Sequence, residues 1–115
     1  MNLAVVGSRT FKDYDLLDGV LCRILFFTRD DNIISGGAAG ADTLGMQFAD
    51  NQGIDCKVFI PDWAKYGKSA GFLRNQLIVD ACDIVVAFWD GKSKGTKDTI
   101  DKARIAKKPT YIVYF

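Results

Sequence analysis

Asn32-Ile33-Ile34-Ser35-Gly36-Gly37-Ala38-Ala39-Gly40-Ala41-Asp42-Thr43-Leu44 changes character twice, and that change decides the fold. Asn32 to Ser35 reads as a short strand, and Gly36-Gly37 breaks it. A helix is then predicted from Gly40 or Ala41, with Leu44, Phe48 and Ala49 facing inward. It stops at Gly53, a residue suited to the left-handed turn that closes a helix.

The same switch of period recurs on both sides. Leu3 to Val6 is a continuous apolar run ending in Gly7, as expected of a strand covered on both faces. From Asp13 the period is helical: Leu16, Val20, Ile24 and Phe27 form one row, and Leu17, Leu21 and Leu25 its neighbour. Downstream, Cys56 to Ile60 reads as a strand closed by Pro61, and Asp62 to Lys68 as a loop. A helix over Ser69 to Ala81 is expected to bury Phe72, Leu73, Leu77 and Ile78. Asp83 to Trp89 is the most apolar strand. A helix from Gly95-Thr96, ended by Pro109, leads to a last strand at Tyr111 to Phe115. Alternation of this kind specifies an α/β fold: one Rossmann-like domain over residues 1–115, a five-stranded parallel sheet with helices on both faces, hence a three-layer sandwich.

The chain has 115 residues, enough for one core and too few for two domains. Fifteen Lys and Arg against fourteen Asp and Glu give a net charge of +1, which argues against nucleic acid held mainly by a basic field. The absence of histidine excludes His-based acid–base chemistry and the commonest zinc ligand, and no metal is expected. Cys22, Cys56 and Cys82 are unpaired in spacing and each lies in an apolar segment, so buried thiols are expected. The first residues do not read as a secretory signal, and no apolar run approaches the roughly 20 residues that cross a bilayer. A cytoplasmic protein without membrane contact is expected.

In open parallel sheets, ligands sit beyond the carboxyl ends of the strands. That rule selects Gly7-Ser8-Arg9-Thr10, the turn Gly36 to Asp42, and Asp90 to Thr96. The turns at the other end, around Arg29-Asp30-Asp31 and Lys107-Lys108, read as only charged and solvated. Glycines in Ser35 to Thr43 would let backbone approach a ligand and offer helix amides to an anion. It is neither a Walker A sequence nor a G-x-G-x-x-G fingerprint, and a plain tight turn with Asp42 supporting the helix start is the bland alternative. In Gly91 to Thr96, Thr96 is a candidate cap, and Lys92 or Lys94 a candidate phosphate contact. Arg74 and Arg9 are candidate guanidinium forks or ordinary surface arginines. Asn75 stands beside Arg74. Trp63 and Tyr66 are candidates for stacking on a base or for covering the core edge.

Taken together, Gly7-Ser8-Arg9, Ser35 to Asp42, Asp62-Trp63, Tyr66-Gly67-Lys68, Ala70-Gly71 with Arg74-Asn75, and Gly95-Thr96 resemble the YspA/YpsA-related branch of the SLOG superfamily. The resemblance implies a Rossmann-like fold with strand order 3-2-1-4-5. Relatives include the Lonely Guy phosphoribohydrolases, the DNA-processing protein A family and domains sensing ADP-ribose-derived signals. It implies a nucleotide-derived ligand held by Gly7, Ser8, Arg9, Gly36, Gly37, Ala38, Gly40, Ala41, Asp42, Trp63, Tyr66, Arg74, Asn75, Asp90, Gly95 and Thr96, with no cofactor. Self-association is implied as well, since related enzymes associate.

The resemblance also tests an enzyme. Lonely Guy enzymes pair an Arg, matched here by Arg74, with the Glu of a G-G-x-G-T-x-x-E motif. Gly95-Thr96 matches, but the glutamate register falls on Thr99; the similar motif of nucleoside deoxyribosyltransferases breaks at the same place. Asp98 and Asp101 lie near, and a one-residue shift turns a helical side chain by roughly 100°. N-glycosidic cleavage needs a placed carboxylate, so a binding domain is the leading expectation. The alternatives are a nucleoside-monophosphate hydrolase using Asp98 or Asp101, and a protein- or DNA-interaction module. The small size also fits a phage or mobile-element protein, acting as sensor or sponge.

Overall fold

The computed structural model describes residues 1–24 and 31–115. Its elements run β1 (Asn2–Gly7), α1 (Tyr14–Ile24), β2 (Asn32–Ser35), α2 (Ala41–Gln52), β3 (Asp55–Val58), α3 (Trp63–Tyr66), a 3-10 turn at Gly67–Ser69, α4 (Ala70–Ala81), β4 (Ile84–Trp89), α5 (Lys94–Ile105) and β5 (Thr110–Tyr114). Leu25 and Phe27 of the predicted first helix, and Arg29-Asp30, lie outside the described residues.

The five strands pair in parallel in the order β3-β2-β1-β4-β5. Alternation along β1 sorts the core into two layers. Leu3 and Val5 face one side, with Leu17 and Leu21 of α1 and Phe48 of α2 packed on them. Ala4 and Val6 face the other, under Ile78 and Val79 of α4 and Ile100 and Ala103 of α5. Each fully buried Leu, Ile or Phe contributes about 1.5–3 kcal/mol, so neither layer is dispensable. Right-handed crossovers put α1 and α2 on one face, and α4 and α5 on the other once the chain doubles back past β1. The loops after β1 and β4 therefore diverge and leave a crevice between them.

Several expectations are corrected. The predicted loop at Asp62 to Lys68 contains α3, because Asp62 caps it: the Lys65 amide donates to Asp62 Oδ1 at 3.1 Å. β3 begins one residue earlier and ends at Val58, and Ile60 is 76% exposed. Thr96 does not cap α5; Ser93 holds the N-cap position and Thr96 lies within the first turn. Cys82 is buried as expected, Cys56 is half-buried, and Cys22 is exposed on α1.

The largest departure is α4. Ile78 is buried, but Phe72, Leu73 and Leu77 are each close to half exposed. The buried positions are Ala70, Asn75, Ile78 and Val79, so this helix is apolar on both its inner and outer faces. Periodicity cannot choose the inner face of such a helix.

The end of the sheet read as merely solvated is also built. Lys108 is half-buried and its ammonium donates to the carbonyls of Val79 and Cys82 (the latter at 2.6 Å), closing the C-terminus of α4. Asp31 is buried and meets the N-terminal ammonium at 3.2 Å.

Candidate functional site

A cavity of about 380 Å³ opens at the carboxyl ends of β1 and β4. The β1 loop lines it with Gly7, Ser8 and Arg9, and the β2 turn with Ala38 and Asp42. Helix α4 adds Arg74 and Asn75, and the β4 side adds Asp90, Gly95 and Thr96. Those ten were expected from sequence. Thr10 and Ser93 also line it, inside loops the sequence selected though neither was singled out, and Val6, Ile78 and Thr99 were missed. Thr99 had a signal, since it holds the register of the relatives' glutamate; Val6 of β1 and Ile78 of α4 are apolar core residues with none.

Gly36, Gly37, Gly40 and Ala41 do not line the cavity but build it. Gly40 has φ 80° and ψ −129°, and a Cβ there would stand 2.4 Å from the Ser8 carbonyl oxygen. A Cβ on Gly36 would meet Arg74 Nη1 at 2.5 Å and Asp42 Oδ2 at 2.6 Å. The missing side chain is thus what lets these two charged groups approach the turn. Trp63 and Tyr66 are about half exposed and lie outside the cavity lining, as do Lys92 and Lys94.

Several amides of the glycine-rich turn are taken from within. Gly37 N–H donates to Ser35 Oγ at 3.2 Å, Ala41 N–H to the Ser8 carbonyl at 3.4 Å, and Ala38 N–H to Asp42 Oδ2 at 3.4 Å. Asp42 is 5% exposed. Burial pushes its carboxyl up to about 6, against the pull of Arg74 and of the amides of Ala38, Gly36 and Gly7. An internal carboxylate therefore occupies the place where the sequence suggested a ligand's anion.

Arg74 is fixed by three contacts: Nη1 to the Gly36 carbonyl at 2.6 Å and the Phe59 carbonyl at 3.4 Å, and Nε to Asn75 Oδ1 at 3.0 Å. Burial lowers its pKa first, and Arg9 opposes its charge further, while Asp42 supports it. Nη2 makes no hydrogen bond among the described residues, yet no buried side-chain nitrogen lacks a partner, so Nη2 is reachable by solvent. Arg9 is exposed and has no salt-bridge or hydrogen-bond partner among the described residues.

On the β4 side, Asp90 Oδ1 accepts the amides of Lys92 and Ser93, both at 2.8 Å, which hold its carboxyl below the usual range. The Asp90 amide donates to the buried Ser8 hydroxyl at 3.2 Å, tying the two loops together. The first amides of α5 have no partner within the helix, and the Ser93 side chain does not cap them. The cavity thus combines two guanidinium groups, a helix N-terminus and a row of hydroxyls. The two aspartates discussed for catalysis stand elsewhere: Asp98 is tied to Asn75 and Lys102, and Asp101 to Lys97 at 2.8 Å, and neither lines the cavity. Among the described residues no cluster of acidic or cysteine side chains could hold a metal.

Sheet order, layers and a crevice at the β1/β4 switch define a Rossmann-like α/β protein. More narrowly, the chain belongs to the YspA, cpYpsA-related SLOG family, whose model matches residues 1–66. It is similar to the "Gene 61 protein" of Mycobacterium phage D29, at 30% identity over 91% of this chain and 90% of that protein. Its fold is that of DNA processing protein A (DprA) from Streptococcus pneumoniae, with a TM-score of 0.78, 20% identity and 96% of this chain covered. The chain spans about half of that solved chain, 49% of its length. No helix among the described residues is long and apolar enough to cross a membrane.

Proposed function

We propose that the cavity binds a nucleotide or nucleotide-derived ligand by its phosphate and does no chemistry on it. One observation carries this reading: Arg74, Arg9 and the first turn of α5, whose amides the Ser93 side chain does not cap, line a single cavity. The phosphate belongs on the β4 side, since Asp42 fills the β2 turn. The glutamate register of the related hydrolases holds Thr99, whose hydroxyl donates to the Gly95 carbonyl at 3.3 Å. Binding without turnover suits a sensor, or a sponge in a phage setting such as that of the D29 relative.

The test is thermal unfolding with AMP, ADP-ribose, NAD, cyclic AMP, inorganic phosphate and a single-stranded oligonucleotide. A ligand at 100 times its Kd adds about 2.7 kcal/mol, which raises Tm by roughly 10 °C in a domain of this size. A shift with one of the nucleotides and no release of free base is expected. Response to none of them, or to the oligonucleotide alone, overturns the reading; the latter result moves the chain toward the role named in the DprA relative.

We also infer self-association through the outer face of α4. Leu73, Leu77 and Asp80 share that face at helical spacing, and both leucines are about half exposed. In an antiparallel two-fold pairing centred between the leucines, each meets the other's counterpart. Lys65 and Lys68, just before the helix, then approach the partner's acidic end at Asp80. Sedimentation is expected to give a dimer that Leu77→Glu converts to monomer. Asp80→Lys weakens it, and adding Lys68→Glu restores it. A wild-type monomer at high micromolar concentration ends this inference.

A further inference from the structure

Asp98 stands outside the cavity, yet its hydrogen bonds lead into it. Its Oδ2 accepts from Asn75 Nδ2 at 3.1 Å and from the Lys102 ammonium at 2.5 Å. Lys102 donates also to the Phe72 carbonyl at 3.0 Å, which fixes it between α4 and α5. Asn75 is 5% exposed, and its Nδ2 reaches the Gly95 carbonyl at 3.2 Å. With both acceptors facing Nδ2, the amide has one favourable orientation, and Oδ1 is turned to Arg74 Nε at 3.0 Å.

We propose that Asp98 is a positioning residue, which holds Arg74 in its ligand-facing pose by fixing the orientation of the Asn75 amide. This rests on the reading of the cavity as a phosphate site. An Asn side chain turned over would set an NH2 group against the Arg74 Nε–H, donor against donor, and release that end of the guanidinium. The Gly95 carbonyl is a neutral acceptor, whereas Asp98 is a charged one and the stronger restraint. Lys102 balances the charge of Asp98, so the half-buried carboxylate remains an acceptor. The arrangement also links the two elements that meet at the cavity: α4, which carries Arg74, and α5, whose first turn also lines it.

Two readouts test this. The first needs no ligand: the NMR signal of Arg74 Nε–Hε is expected to be sharp and slow to exchange in the wild type, lost in Asp98→Ala and retained in Asp98→Asn, whose amide oxygen still accepts from Asn75. The second is a double-mutant cycle with AMP as probe. Asp98→Ala lowers affinity about tenfold beside Arg74 and has no further effect in an Arg74→Lys background, because lysine offers no Nε–H to Asn75. Should Asp98→Ala not fold, Asp98→Leu removes the same acceptor with a similar helix propensity. An unchanged Nε–Hε signal in Asp98→Ala or Asp98→Leu, or an equal loss of affinity in both backgrounds, overturns the proposal. If AMP fails to bind the wild type, the phosphate reading is what has failed, and the Nε–Hε signal still decides whether Asp98 positions Arg74.

Discussion

Asp42→Asn is expected to raise the unfolding free energy by up to about 3 kcal/mol at pH 8 and to leave it almost unchanged near pH 3. The Asp42 carboxyl is 5% exposed and is pushed from 3.8 up to about 6 by burial. A group whose pKa is raised on folding favours the folded state while it is protonated. That contribution is complete below pH 3.8 and is lost as pH rises through about 6. Above that, the folded protein carries a charge it holds less well than the unfolded chain does. A neutral isostere removes the charge penalty and its oxygen can still accept the Ala38 amide, but its NH2 group cannot accept from Gly36 or Gly7, so about 3 kcal/mol is the upper end of the gain. The corresponding rise in Tm is roughly 10 °C at pH 8. Urea unfolding of both proteins at pH 4, 6 and 8 reads the result directly. A gain of the same size at every pH, or a loss at pH 8, shows that the charge of Asp42 is not what costs stability.

The sequence makes the sheet legible because its strands are short apolar runs bounded by glycine, proline or charge, and the helices between them have room for only one topology class. Loops at the carboxyl ends follow from that topology, so Arg9, Asp42 and Asp90 could be placed at one crevice without coordinates, whereas Arg74 and Asn75, on a helix, are tied to it only by the family resemblance. What was not legible is the hydrogen bonding inside the crevice. Nothing in the order Ser35 to Asp42 says that Asp42 turns back onto its own turn and accepts the Ala38 amide. Nor does the order of α4 say which apolar face is inner, since Leu73 and Leu77 follow the helical period as well as Ile78 does. Trp63 and Tyr66 read equally as stacking residues or as cover for the core edge and are given to the ligand by the resemblance, and neither source fixes direction: Trp63 packs its ring edge toward Gly71, where a Cβ would lie 3.5 Å away.

Arg74→Ala is expected to weaken binding of the responding nucleotide by about 3 kcal/mol, roughly 150-fold in Kd, with little change in the ligand-free fold. The guanidinium gives Nη1 to the carbonyl oxygens of Gly36 and Phe59 and Nε to Asn75, and leaves Nη2 without a hydrogen bond among the described residues. Arg9 also lines the cavity but is exposed and held by no hydrogen bond among the described residues, so it replaces the fixed Arg74 fork only in part, and Lys92 and Lys94 lie outside the lining. Arg74→Lys keeps the charge but cannot satisfy the carbonyls, the amide and a phosphate together, so it recovers only part of the loss. Arg74 also attracts Asp42, and its removal lets the Asp42 carboxyl climb further above about 6. In the Arg74→Ala background, the stability gained by Asp42→Asn at pH 8 should therefore exceed the gain in the wild type. Calorimetric titration with the responding nucleotide and unfolding at pH 8 measure the two effects separately. Unaltered affinity in Arg74→Ala removes Arg74 from the site, and an unaltered gain from Asp42→Asn shows that the two groups do not act on each other.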